Sequence, residues 1–405
     1  MSQRVVARAA AAATLLLSLV DCGSSGSGVE AMGQTGGSGG TASASGGTST
    51  TGGAAGSTGA AGSAGAAGSA GAAAIVPTAG WANATGNLAG LASECGNLSN
   101  LSAKPDEDLL IAGVAQKGLW SSADGGKTWL QLGMGAGSDS ITNRTSAIVY
   151  DPTSPKRFWE SGIYNDGGVY ETTDDGQVFV KQGSVVHSDL VSVDFSDPDR
   201  KTLLAGGHEH SQTLNRSSDG GMSWAKVGST LPPNTNCTSP LVIDSMTYLV
   251  GCGGYGGGVS GIYRSTDGGT SWASASASGG ASAPLYAKDG SIYWASPNGK
   301  GMTRSTDSGK TWTNVVDDGK ITSDPPVELP DGRIATLSQS AVVISADHGA
   351  TWQAATMNLP YGDARGVVYS APQKAFFVWH FSCGNAPLPV PADAVMRAEF
   401  DYQSN

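Results

Sequence analysis

An all-β fold, a single seven-bladed β-propeller behind a disordered N-terminal tether, is what the sequence predicts, and three observations predict it. One phrase, a hydroxyl residue, then Asp, Gly and an aromatic at fixed offsets, recurs six times. Its aspartates are Asp124, Asp174, Asp219, Asp267, Asp307 and Asp347, separated by 50, 45, 48, 40 and 40 residues, which is the length of one four-stranded propeller blade. Between the copies lie short apolar runs punctuated by glycine, with no helical period. Finally, the C-terminal tail holds three strand-like runs and no fourth, while a matching strand stands near the other end of the chain.

Taken in order, the first element is an export signal. Arg4 and Arg8 precede an apolar run of twelve residues, Ala9 to Val20, the charged and apolar halves of a secretory signal. The run is shorter than the ~20 residues a membrane-spanning helix needs. Two residues beyond it stands Cys22, in a context that resembles the lipobox of bacterial lipoproteins, so the resemblance implies lipidation of that thiol, a signal over 1–22 and a bacterial cell-envelope location. Plain secretion with a free thiol is the alternative. Residues 23–79 are Gly-, Ser-, Ala- and Thr-rich and hold much of the chain's 60 glycines; such a composition cannot bury enough apolar surface to offset chain entropy. They read as a flexible linker.

The propeller is expected over 80–405. Each copy of the phrase, such as Ser122-Ala-Asp124-Gly-Gly-Lys-Thr-Trp129, reads as a tight turn: the carboxylate accepts backbone N–H groups, glycine takes positive φ, and the aromatic packs inward. The phrase resembles the Asp-box of bacterial-neuraminidase-type repeats, and the resemblance covers nearly all of 81–405. It implies that the six aspartates are structural and not catalytic. A second phrase, Tyr150-Asp151-Pro152 or Phe195-Ser-Asp197-Pro198, precedes the box, giving blades of strand A, turn, strand B, loop, strand C, Asp-box turn and strand D. The tail runs 366–370, 375–379 and 394–399 lack a strand D, and Gly80-Trp81-Ala-Asn supplies one, as Thr311-Trp312-Thr-Asn does elsewhere. Seven blades follow, with both open edges paired.

Cys22 aside, four cysteines remain, in an oxidising compartment. Three pairings are open to them, and Cys95–Cys383 across the closure with Cys237–Cys252 inside one blade is the economical one.

With 23 Lys+Arg against 34 Asp+Glu the net charge is -11, and no basic block offers the phosphate-neutralising surface that nucleic acid requires. Nucleic acid is therefore excluded as a partner, and the membrane enters only through the lipid anchor. Sites belong on the face of the loops that enter strand A and join B to C. That rule collects Asp139 to Arg144, Tyr164-Asn165-Asp166, His187 and Asp189, His208-Glu209-His210, Tyr255, and Tyr361 to Arg365 with His380. His348 lies in an Asp-box and reads as exposed filler, and Trp159, Glu160 and Trp294 as packing residues in strands.

The densest group is at blade 3. His187, His208 and His210 with the carboxylates form a donor set that a divalent metal can use, an acid–base set, or simply hydrogen-bonded structure. No metal and no cofactor is expected. Glu209 is the first choice as general acid, with Asp189 or Asp166 as second carboxylate; Arg144, His187, His208, His210, Tyr255 and Arg365 are the binding residues, and Arg144 suits an anionic group.

Propellers of this kind include sialidases, xyloglucan-cleaving glycosidases, sortilin-type receptors and photosystem assembly factors, so the fold does not choose among them. Sialidase-like enzymes carry an arginine triad and an Arg-Ile-Pro phrase, which does not occur here. Xyloglucanase-like enzymes place paired aspartates between two tandem propellers, and this chain has one. The expected function is that of an exported, lipid-anchored monomer binding a glycan or another extracellular ligand at the channel mouth, with glycoside hydrolysis of either kind as its catalytic option. A non-catalytic protein-interaction or assembly scaffold is the alternative.

Overall fold

Seven four-stranded antiparallel sheets form the blades of the computed structural model, which describes residues 75, 77, 80–94, 97–105, 107–133, 141–253, 259–297, 301–316, 319–382 and 388–403. The strands of blade 2 are Arg144–Tyr150, Phe158–Ile163, Gly168–Thr172 and Val180–Lys181, and those of blade 3 are Ser188–Val193, Leu203–Gly207, Asn215–Ser217 and Ala225–Lys226. Both follow the expected order A to D. In blade 7 the strands Val367–Ser370, Ala375–Trp379 and Val395–Glu399 take their outer partner from the other end of the chain: Ala82 pairs with Arg397 and Asn83 with Met396.

The second strand of each blade is the most buried, because it is flanked within its sheet and covered by the blades on either side. Leu110–Val114, Phe158–Ile163, Tyr248–Cys252 and Ala375–Trp379 are buried along their whole length, whereas the outer strands Leu130–Gln131 and Ala225–Lys226 are exposed. Each interface between neighbouring blades has its own apolar cluster. Fully buried Trp129, Trp159 and Trp294 lie in three of them, and each side chain of that size contributes roughly 1.5–3 kcal/mol or more on burial.

The recurrent turns work as read. Asp124 Oδ1 accepts the Thr128 N–H at 2.9 Å and its Oδ2 the Thr128 hydroxyl at 2.6 Å, while Ser122 Oγ accepts the Gly126 N–H at 2.9 Å. The aromatic that closes the turn ties one blade to the one before it: Trp224 Nε1 donates to Gln182 O at 2.9 Å and Trp272 Nε1 to Val227 O at 2.8 Å. Trp129 does the same across the closure, donating to Ala84 O at 3.3 Å. Neighbouring blades are also braced below. Arg200 reaches from blade 3 to Asp151 of blade 2, Nε to Oδ2 and Nη2 to Oδ1, each at 2.9 Å, with both side chains about 95% buried.

Cys237 and Cys252 lie opposite one another at the ends of strands A and B of blade 4 and are disulfide-bonded. The other proposed pair, Cys95 and Cys383, lies outside the described residues, as do Cys22 and Tyr255.

Candidate functional site

Because strands alternate in direction, the loops entering strand A and those joining B to C emerge on one face. On that face blades 2 and 3 bring one polar cluster together. Asp189 is the extra residue of a β-bulge, since Ser188 pairs with Gly207 and Leu190 with Gly206; a bulge re-aims the side chain it carries. His208 follows directly on strand B, its N–H donating to His187 O at 2.8 Å. The two loops are thereby pinned to each other.

His208 stands at the centre. Its Nδ1 is 2.9 Å from Asp189 Oδ1, and its Nε2 is 3.1 Å from both Glu209 Oε1 and the Tyr164 hydroxyl. Tyr164 in turn donates to Glu209 Oε1 at 3.1 Å. The Tyr164 N–H donates to His187 Nε2 at 3.2 Å, and the Tyr164 ring meets both imidazoles edge-on. Above it lies Arg144, its guanidinium carbon 4.9 Å from the ring centroid, a cation–π contact.

The backbone is strained at these same positions. Tyr164, Asn165, Asp166, His187 and Glu209 all have positive φ, at 55°, 38°, 67°, 52° and 56°. Non-glycine residues held so cost of order 1–3 kcal/mol each and persist only where the surroundings over-determine them.

Electrostatics drive the two histidines apart. At His208 burial opposes the charge, but the hydrogen bond and charge of Asp189, with Glu209 beside it, outweigh burial and raise the pKa above the ordinary value. At His187 burial and the neighbouring His208 act together and lower it. Burial and Glu209 push the Tyr164 phenol up to about 12. The cluster therefore offers one imidazole of raised proton affinity and one of lowered affinity, a protonated phenol, two carboxyl groups and a guanidinium on one face.

Asp166 departs from the sequence reading. It is exposed and pairs instead with Lys181 of the outer strand, at 2.5 Å; the left-handed turn of 164–166 carries it outward. His210 is exposed at the rim. Arg365 belongs to a second corner, at blade 7, with its guanidinium carbon 4.5 Å from the Phe381 ring. There His380 stacks on Tyr361 at 4.1 Å, and its two ring nitrogens each lie 3.3 Å from a carboxylate, Asp363 and Asp393. His348 is exposed as expected, though its Nδ1 stands 3.2 Å from the Tyr293 hydroxyl.

Two acidic residues of this face went unread in the sequence. Glu94 accepts from Asn165 Nδ2 at 2.7 Å and from Gln116 Nε2 at 3.0 Å, so it holds the strained loop of blade 2 from the closure side. Asp324, buried at the entry to blade 6, is pushed up to about 6 by burial, against the pull of Thr322 and Arg365. Glu160, read as a packing residue in a strand, is wholly buried there. Its signal was present in the alternation Phe158, Glu160, Gly162, which puts an acid on the face of strand B that packs on blade 1.

No family model matches the chain. A xyloglucanase of Paenibacillus sp. is 26% identical over 296 residues, which are 64% of this chain and 29% of that protein. The chain thus spans less than a third of that relative's length. Among solved structures, YCF48 bound to a D1 peptide superposes with a TM-score of 0.51 at 14% identity, over 81% of this chain and 99% of that one. An ancestral GH74 enzyme superposes with a TM-score of 0.50 at 15% identity, over 78% of this chain and 46% of that one. The chain is similar to these propellers. At such identities the structural likeness is one of fold.

Proposed function

We propose that the protein is an exported, lipid-anchored Asp-box propeller that binds a glycan at the channel mouth, through the Arg144, Tyr164, His187, Asp189, His208 and Glu209 cluster. The observation that carries this reading is the place of His208. Glycosidase carboxylates stand ~5–5.5 Å or ~6.5–9.5 Å apart around the scissile bond, whereas here an imidazole fills the space between Asp189 and Glu209. The arrangement favours holding a ligand over cleaving one. Both carboxylates are part-exposed, at 25% and 30%, and keep oxygen lone pairs for sugar hydroxyls, while Arg144 supplies donors. The similarity to a xyloglucanase supports a polysaccharide as ligand.

A glycan array probed with the full chain, beside a reducing-sugar assay on a polysaccharide panel, tests this. Binding without sugar release is expected. Sugar release that is lost in Glu209→Gln would make the protein a hydrolase, and silence in both assays would favour the scaffold reading. That reading draws on the full-length match to YCF48, a single propeller whose structure holds a peptide.

A further inference from the structure

Beneath the channel mouth, two buried oxygens face an otherwise closed contact. Asn143 Nδ2 donates to Glu160 Oε2 at 3.3 Å. The remaining atoms of the two groups, Asn143 Oδ1 and Glu160 Oε1, are both buried and have no hydrogen-bond partner. Two buried acceptors left unpaired within one hydrogen-bonded pair are costly. In a cyclic acid–amide pair the second oxygen of the carboxyl carries a proton and donates it to the amide oxygen, so a single proton would satisfy both acceptors.

We propose that Glu160 is carried as the neutral carboxylic acid, with its Oε1–H donated to Asn143 Oδ1, so that an acid–amide pair clasps strands A and B of blade 2. The inference does not depend on what the site binds. The surroundings favour it. Glu160 is fully buried and lies in register with Ile148 on one side and Tyr170 on the other; Gly113 of blade 1 packs on the Thr145 side chain next to it. Asn143, Thr145 and the charge of Lys181 favour the ionised form, but Lys181 is drawn off to Asp166. Burial prevails and pushes the carboxyl up to about 8. The Asn143 side chain lies across Gly162, where a Cβ would come within 2.2 Å of Oδ1, so only a glycine leaves the amide its place against strand B.

The pair sits where it controls the site. Asn143 precedes Arg144, and strand B runs from Glu160 to Ile163 and then Tyr164, so the clasp fixes the two chains that deliver the guanidinium and the ring below it. Ionisation at alkaline pH sets a carboxylate against a carbonyl and loosens that arrangement.

Two measurements test the assignment. Infrared spectra of the full chain should show a protonated-carboxyl carbonyl band at pH 7 that fades with a midpoint near 8, apart from the earlier loss of Asp324 near 6; a folded protein without that band at pH 7 overturns the proposal. Glu160→Gln reproduces the donor and acceptor of the neutral acid. An acid whose pKa rises on folding gives stability that is full below its unfolded value and is lost as pH rises through the folded one, so wild type should melt progressively lower from pH 4.5 past 8 while the variant loses less. Parallel profiles for the two proteins also overturn it.

Discussion

At the scale of single residues, His187 and His208 show how one loop pair shifts two imidazoles in opposite directions. His208 is raised by Asp189 and Glu209 against burial, and His187 is lowered by burial and by His208. Titration of the imidazole protons by NMR should therefore give one midpoint above 6.5 and one below. Asp189→Asn removes the partner but leaves the burial, so the His208 midpoint should drop; an unchanged midpoint would assign the shift elsewhere. The raised His208 contributes stability that is present below 6.5 and lost as pH rises through its folded pKa. Arg144 has, among the described residues, no carboxylate within ion-pair distance. If the proposed site holds the glycan, Arg144→Ala should weaken binding by about 1.5–3 kcal/mol, roughly ten- to a hundredfold, the worth of a hydrogen bond to a charged group. Equal affinity on titration of both proteins would move the site away from this corner.

At the scale of elements, the aspartate turns were legible because all their hydrogen bonds close within five residues: Asp219 reaches only Ser217 and Ser223. The loops of the site were legible one step further on, once blade order placed His187, Asp189, His208 and Glu209 at a common face. Asp324 and Glu94 were not, because their roles depend on which segment lies over them, and no local spacing records that. Asp166 failed for the converse reason, a left-handed turn that residue type does not announce. The Arg200–Asp151 brace belongs to the same class of long-range contact. Removing one partner leaves an unpaired buried charge, so Arg200→Leu should cost about 3–5 kcal/mol in urea unfolding, and Asp151→Leu added to it should restore part of the loss. Additive losses in the double variant would mean that the brace is not a unit.

At the scale of the whole molecule, the ring stands or falls on its closure. Ala82–Asn83 covers the edge of Val395–Glu399, and the segment behind it buries Ala84 and Leu88 against Trp129 and Phe377. Trp81 Nε1 also donates to Asn358 O at 2.8 Å, so the segment reaches blade 6 as well. A chain lacking residues 1–79 keeps all of these contacts and should melt close to the full-length protein. A chain lacking 1–92 loses the outer strand of blade 7 and two buried side chains together, and the bare edge is a template for pairing with other copies. It should melt lower and sediment as aggregates. Leu88→Ala separates the two losses: it costs ~2–5 kcal/mol as a buried large-to-small change but leaves the edge paired, so it should lower the melting temperature without aggregation of the folded state. If the 1–92 deletion melts with the 1–79 deletion and stays monomeric in sedimentation, the N-terminal strand does not hold the ring shut.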